Sequence, residues 1–168
     1  MNIFLIRHAK AEVASHLKKD IERDLTDEGK KILMDSIILW KSAAASFDLI
    51  LTSPYRRAVH TAEIIADSYN YKNEIIKDSS LAPGSRVNSI IHLGNTYNGE
   101  RIAFIGHQPD IGFQVSSLIS NSEMNLKISP ASIVNIYFEH KPKVGRGILN
   151  FLFPPVIISS NDNDNNKN

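Results

Sequence analysis

Three short apolar runs constrain this chain more than any other feature: Ile3-Phe4-Leu5-Ile6, Leu49-Ile50-Leu51-Thr52 and Ile102-Ala103-Phe104-Ile105. Each is apolar at consecutive positions rather than alternating, so both of its faces need cover, as in a parallel sheet packed between helices. Helical spacing fills the gaps between them. Thr26 is placed to open a helix with Asp27 and Glu28 in its first turn, and Leu33, Ile37, Trp40 and Ala44 share one face of it. Gly29, near the start of that helix, reads as a mild cost. After the Ser53-Pro54 break, Ala58, Ala62, Ile65 and Tyr69 give a second stripe.

Further along, the pattern predicts a short strand over Glu74 to Lys77, a helix around Val87 to Leu93 and another from Asp110 to Ile119. Ile133 to Phe138 and Ile148 to Phe153 read as a hairpin whose loop contains Gly145 and Gly147. Alternating strands and helices predict an α/β fold, a sandwich with a mostly parallel central sheet flanked by helices and room for an antiparallel edge.

The 168 residues suit one domain, expected over residues 1–159. Residues 160–168 are almost all Asn and Asp, with nothing apolar to bury, and are expected to form a solvated tail. No cysteine is present, which excludes disulfide scaffolds, thiolate metal sites and cysteine nucleophiles. A formal net charge of +1 gives no reason to expect nucleic acid or an anionic membrane as partner. The amino-terminal segment lacks a basic region followed by a long apolar core, so a cytoplasmic location is expected.

Ligands of open α/β sheets bind beyond the carboxyl ends of the strands. Arg7 and His8 follow the first apolar run, Ser53, Arg56 and Arg57 the second, and Gly106 and His107 the third. Three strand ends thus deliver histidine or arginine to one edge, a poor core and a good anion site. Arginine forks hold two phosphate oxygens at once, and a helix start beside Arg57 adds free backbone N–H groups. A neutral imidazole can attack phosphorus, and like-charge repulsion from the arginines is expected to keep His8 neutral. His107 can donate to charge developing on a phosphoryl group. His16, His60, His92 and His140 read as surface or structural. The chain has no nucleotide-binding glycine loop and no GxSxG elbow, and its strand ends supply cations rather than metal-binding carboxylates. No metal or other cofactor is expected.

These segments resemble the histidine phosphatase superfamily, whose fold is called phosphoglycerate-mutase-like. Leu5-Ile6-Arg7-His8-Ala9 is similar to its "RHG" signature, and Arg23-Asp24-Leu25-Thr26-Asp27-Glu28-Gly29 to its "LT..G" helix start. Ser53-Pro54-Tyr55-Arg56-Arg57-Ala58 through Ala62 resembles "SP..RA..TA", and Gly106-His107-Gln108-Pro109 resembles "GHNP". The likeness extends to the small phosphohistidine phosphatases of the SixA type, through Leu81-Ala82-Pro83-Gly84 and Ser129-Pro130-Ala131-Ser132-Ile133. It implies His8 as nucleophile, Arg7 and Arg57 as phosphate clamp, His107 as second pocket histidine and Ser53 among the substrate-binding residues. The implied partner is a histidine-phosphorylated protein, either a phosphotransfer domain or a phosphotransferase-system carrier, acted on by a monomer.

Mutases and many small-molecule phosphatases of this fold carry an acidic proton donor after the second helix. Here that neighbourhood reads Ser79-Ser80-Leu81-Ala82-Pro83-Gly84, with Asp78 the nearest acid. An alkoxide leaving group needs that proton, whereas a phosphoramidate bond to imidazole is intrinsically labile. The expectation is therefore a protein phosphohistidine phosphatase. A small-molecule phosphatase or mutase of the same fold is the alternative, as is an inactive module that only binds phosphorylated proteins.

Overall fold

The computed structural model describes residues 1–156, and the Asn/Asp-rich tail lies outside them. The strands are β1 (Asn2–Arg7), β2 (Leu49–Thr52), β3 (Ile76–Lys77), β4 (Arg101–Gly106), β5 (Ile133–Tyr137) and β6 (Ile148–Phe153). The helices are α1 (Asp27–Ala43), α2 (Arg56–Ser68), α3 (Val87–Thr96) and α4 (Asp110–Ile119). One sheet runs in the order β3-β2-β4-β1-β5-β6. The pairs β3–β2, β2–β4 and β4–β1 are parallel, and β5 joins β1 antiparallel, followed by β6.

The apolar runs are covered on both faces, residue by residue. Ile3 and Leu5 of β1, with Ile102 and Phe104 of β4, pack on α3 and α4 through Ile90, Leu93, Val115 and Leu118. Phe4 and Ile6, with Ala103 and Ile105, pack on the other side against Leu33, Ile37 and Trp40 of α1 and Ala58, Ala62 and Ile65 of α2. Alternate side chains thus serve alternate layers, and the result is a three-layer α/β sandwich.

Thr26 caps α1, its hydroxyl accepting from the Gly29 N–H at 3.0 Å. Gly29 is more than a tolerated cost, because a Cβ there would run into the Lys10 backbone carbonyl. That carbonyl also accepts from the Thr26 N–H at 3.0 Å, so the chain leaving β1 is laid against the first turn of α1.

Two elements differ in length from expectation. β3 is confined to Ile76 and Lys77, since only Leu51 and Thr52 of β2 reach it. α3 runs on through Gly94 to Thr96, because Gly94 is buried where a Cβ would press on Pro142 and Ile3. There the close approach outweighs the low helix propensity of glycine.

Candidate active site

The carboxyl ends of the adjacent strands β2, β4 and β1 form one edge, and backbone bonds carry their alignment past the last ladder residue. The His8 N–H donates to the Gly106 carbonyl at 3.1 Å and the Ser53 N–H to the Ile105 carbonyl at 3.0 Å. His8, Ser53 and His107 are thereby held in register. Ala131, in the left-handed region at φ 59°, turns its N–H back to the Arg7 carbonyl at 3.2 Å. This seats the chain entering β5 against the same edge.

The tautomer of His8 follows from partners whose roles are fixed. Its Nδ1 lies 2.7 Å from the Ala9 carbonyl, which can only accept, so Nδ1 carries the proton. Its Nε2 receives the Arg57 Nε–H at 3.2 Å, so Nε2 presents a lone pair. Burial pushes the imidazole down to about 4, Arg57, Arg7 and Arg23 add like-charge repulsion, and the bond to Ala9 pulls the other way. The arginines do keep His8 neutral, but desolvation is the larger cause.

His107 faces His8 edge to face, with ring centroids 5.2 Å apart. Its Nε2 meets the Ser53 hydroxyl at 2.8 Å, and that hydroxyl also accepts from the Tyr55 N–H at 3.3 Å. Ser53 is fully buried, so its own proton needs an acceptor, and the His107 Nε2 lone pair is the one within reach. His107 is then protonated on Nδ1, a buried donor with no partner in the protein. Burial, then the charges of His8 and Arg57, lowers His107 to about 3, so this ring too is neutral at physiological pH.

Arg57 is buried and Arg56 is exposed, which separates the two neighbours. Arg57 spans the site: Nε donates to His8, Nη1 to the Asp20 carbonyl at 2.8 Å and Nη2 to the Asp20 carboxylate at 3.1 Å. Its guanidinium lies over the Tyr55 ring, 4.8 Å from the centroid. Arg56 instead pairs on the surface with Asp24 and Glu63. Arg7 donates through Nη1 to the Ile128 carbonyl at 2.7 Å, while its Nε is buried without a partner. Arg7 Nε and His107 Nδ1 are thus two buried donors without a partner in the protein.

Other participants were not apparent in the sequence. Thr61 accepts from the Ala9 N–H at 3.1 Å and donates to the Arg57 carbonyl at 2.7 Å, tying the residue after His8 to α2. Asp20 holds the arginine fork. Its carboxyl is pulled up by partial burial, and this is outweighed by the Arg23 hydrogen bond and the Arg57 charge, so the net shift is downward. Asp78 turns its carboxylate onto the Ser80 N–H at 2.8 Å, capping the short turn Ser79–Leu81. His60 pairs with Asp24 at 2.6 Å, and His16, His92 and His140 are exposed. No cluster of three or more His, Asp or Glu able to hold a metal occurs among the described residues.

Two neutral histidines and two arginines at the carboxyl ends of a parallel sheet make a site suited to binding a phosphoryl group. The model of the histidine phosphatase superfamily, branch 1, matches residues 3–82 of this chain. No curated protein matches the chain by sequence. Among solved structures, the protein histidine phosphatase SixA complexed with tungstate is similar over 92% of this chain and 97% of its own, at 22% identity and a TM-score of 0.76. A candidate phosphohistidine phosphatase SixA from Agrobacterium tumefaciens is similar over the same shares, at 19% identity and a TM-score of 0.78. A phosphoserine phosphatase from Entamoeba histolytica in complex with phosphoserine covers 90% of this chain and 95% of its own, at 17% identity and a TM-score of 0.66. The fold is thus the phosphoglycerate-mutase-like one along nearly the whole chain. The family model itself ends before His107.

Proposed function

We propose that this phosphatase hydrolyses phosphohistidine on proteins through a covalent intermediate on His8. In the first step the His8 Nε2 lone pair attacks phosphorus in line, and the P–N bond to the substrate imidazole breaks with its electron pair returning to that ring. A proton from solvent on the ring's other nitrogen lets it leave as neutral imidazole. Arg57 and Arg7 balance the phosphoryl charge, and the His107 Nδ1–H donates to an equatorial oxygen. The His8 ring, now phosphorylated on Nε2 and protonated on Nδ1, is cationic, and the Ala9 carbonyl stabilises that charge. Water then attacks the phosphoenzyme, releasing phosphate and restoring the lone pair.

The observation that carries the choice of substrate is the state of the nearby acids. Asp78 is engaged in capping its own turn, and Asp20 is favoured as a carboxylate by Arg23 and Arg57. Neither is poised to protonate an alkoxide. A leaving group that departs without such help, as the imidazole of phosphohistidine does, fits this pocket better than a sugar or serine alkoxide. Likeness to a phosphoserine phosphatase keeps a phosphate-ester reading as the competitor.

The test measures phosphate release from a histidine-phosphorylated carrier protein and from 3-phosphoglycerate, side by side, for the wild type and His8→Ala. Release from the carrier, lost in the variant, supports the proposal. Release mainly from the metabolite refutes it.

A further inference from the structure

Between β1 and α1 the chain makes a finger beside the pocket. Its base is closed by the antiparallel bridge Ala11–Leu25 and by the Glu12 N–H donating to the Asp24 carbonyl at 2.9 Å. Arg23 Nη1 donates to the Glu12 carbonyl at 2.6 Å, and a second bridge, Ser15–Lys18, closes the tip. The finger is therefore a built element rather than a loose excursion, and it touches the site directly where Asp20 holds Arg57.

Its apolar side chains point away from the core. Leu17 is 99% exposed and Val13 is 89% exposed, more than any other large apolar residue of the described chain. Ile21, 43% exposed, lines a cleft of about 500 Å³ together with Pro54, Val59 and Lys77. Pro54 follows Ser53, so this cleft runs up to the pocket wall. Ile38 on α1 and Ile148 on β6 lie on elements away from the strand ends, and Phe113, 60% exposed, lines a separate cleft with Gln108 and Pro109.

A hairpin that closes its own backbone bonds has no folding reason to hold leucine and valine in water, and apolar surface next to a site marks an interface. Leu17 is three residues from Asp20, up to about 10 Å of chain beyond the arginine clamp, which places it past the reach of a small metabolite seated on His8. The finger carries charges of both signs: Lys18 pairs with Glu12, and Glu22 and Asp24 line the cleft beside Arg56 and Lys77.

We infer that the finger over residues 11–25 and the cleft at its root are the docking surface for the protein substrate. The occupant is a histidine-phosphorylated protein whose surface next to the modified histidine is apolar. This rests on the phosphohistidine reading above. The finger supplies affinity and selects a macromolecule, while the pocket supplies chemistry indifferent to what lies behind the imidazole.

The experiment compares the wild type with the double variant Val13→Ser, Leu17→Ser on two substrates: a phosphotransfer domain phosphorylated on histidine, and free phosphohistidine. Both side chains are exposed, so the melting temperature should not change. Loss of two apolar contacts should lower kcat/KM on the phosphoprotein by about tenfold or more, through KM, with free phosphohistidine turned over within twofold of wild type. Equal turnover of the phosphoprotein by wild type and double variant overturns the docking proposal and leaves the phosphohistidine reading standing. A wild type that hydrolyses phosphate esters but neither phosphohistidine substrate overturns both.

Discussion

Lowering the pH from 7.5 to 5 is expected to cost the folded state about 4 kcal/mol through His8 and His107 alone. In the unfolded chain both imidazoles take up a proton near pH 6.5, whereas in the folded protein they stay neutral down to about 4 and about 3. Above pH 6.5 neither state is protonated and the pair contributes nothing. Below it the unfolded state binds more protons, so stability falls by about 1.4 kcal/mol per pH unit per group until the folded pKa is reached. At pH 5 that is about 2 kcal/mol for each ring, and since both are still neutral when folded, their mutual repulsion does not enter. The carboxylates held by Arg57 and Arg56, Asp20 and Asp24, have lowered pKa values, so their contributions are lost only in more acid solution. The assay is urea unfolding at pH 7.5, 6 and 5, comparing the wild type with the double variant His8→Gln, His107→Gln. The wild type should lose about 4 kcal/mol more than the variant across that range. Parallel losses would refute the reasoning, since they would mean that the two rings titrate normally in the folded protein. If His8 attacks as proposed, the acid limb of kcat/KM should likewise fall near pH 4 rather than near 6.5, because the attacking form is the neutral ring.

Three further outcomes follow from the same geometry. Ser53→Ala removes the donor to His107 Nε2 and should lower kcat by about 10- to 100-fold with little change in KM, while nitrogen NMR shows the His107 proton no longer confined to Nδ1. Asp20→Asn removes a carboxylate that competes with phosphate for Arg57; inorganic phosphate should then inhibit about two- to fivefold more strongly, the scale of an exposed ion pair. Gly29→Ala drives a Cβ into the Lys10 carbonyl and should destabilise the protein by about 2 kcal/mol or more, read as a drop in unfolding midpoint, although alanine is the better helix former.

The parts legible in the sequence were those written locally. Ile3 to Ile6 and Ile102 to Ile105 announce buried strands because both faces of each are covered, and Thr26 announces a helix because its hydroxyl caps its own first turn. The site's positive charge was legible for the same reason: Arg7 ends β1, His8 and His107 directly follow β1 and β4, and Arg57 lies in the first turn of α2 after β2. What escaped depends on contacts across the fold. Asp20 lies 37 positions from the arginine it holds, with no periodic pattern around it. The depth at which His8 is buried, the main cause of its neutrality, is set by how three layers close and not by its neighbours in the chain. Gly29 read as a defect because the carbonyl it accommodates belongs to Lys10, on a different element.

The position of β1 within the sheet has a consequence for how the enzyme comes into being. This strand lies between β4 and β5, so both of its neighbours are made about a hundred residues or more after it. During vectorial synthesis Arg7 and His8 emerge early, yet their strand has no partner until Arg101–Gly106 is made and keeps one open edge until the segment through Tyr137 follows. A nascent chain therefore carries Arg7 and His8 for most of its synthesis before the strands that flank them exist, and the site is assembled only late.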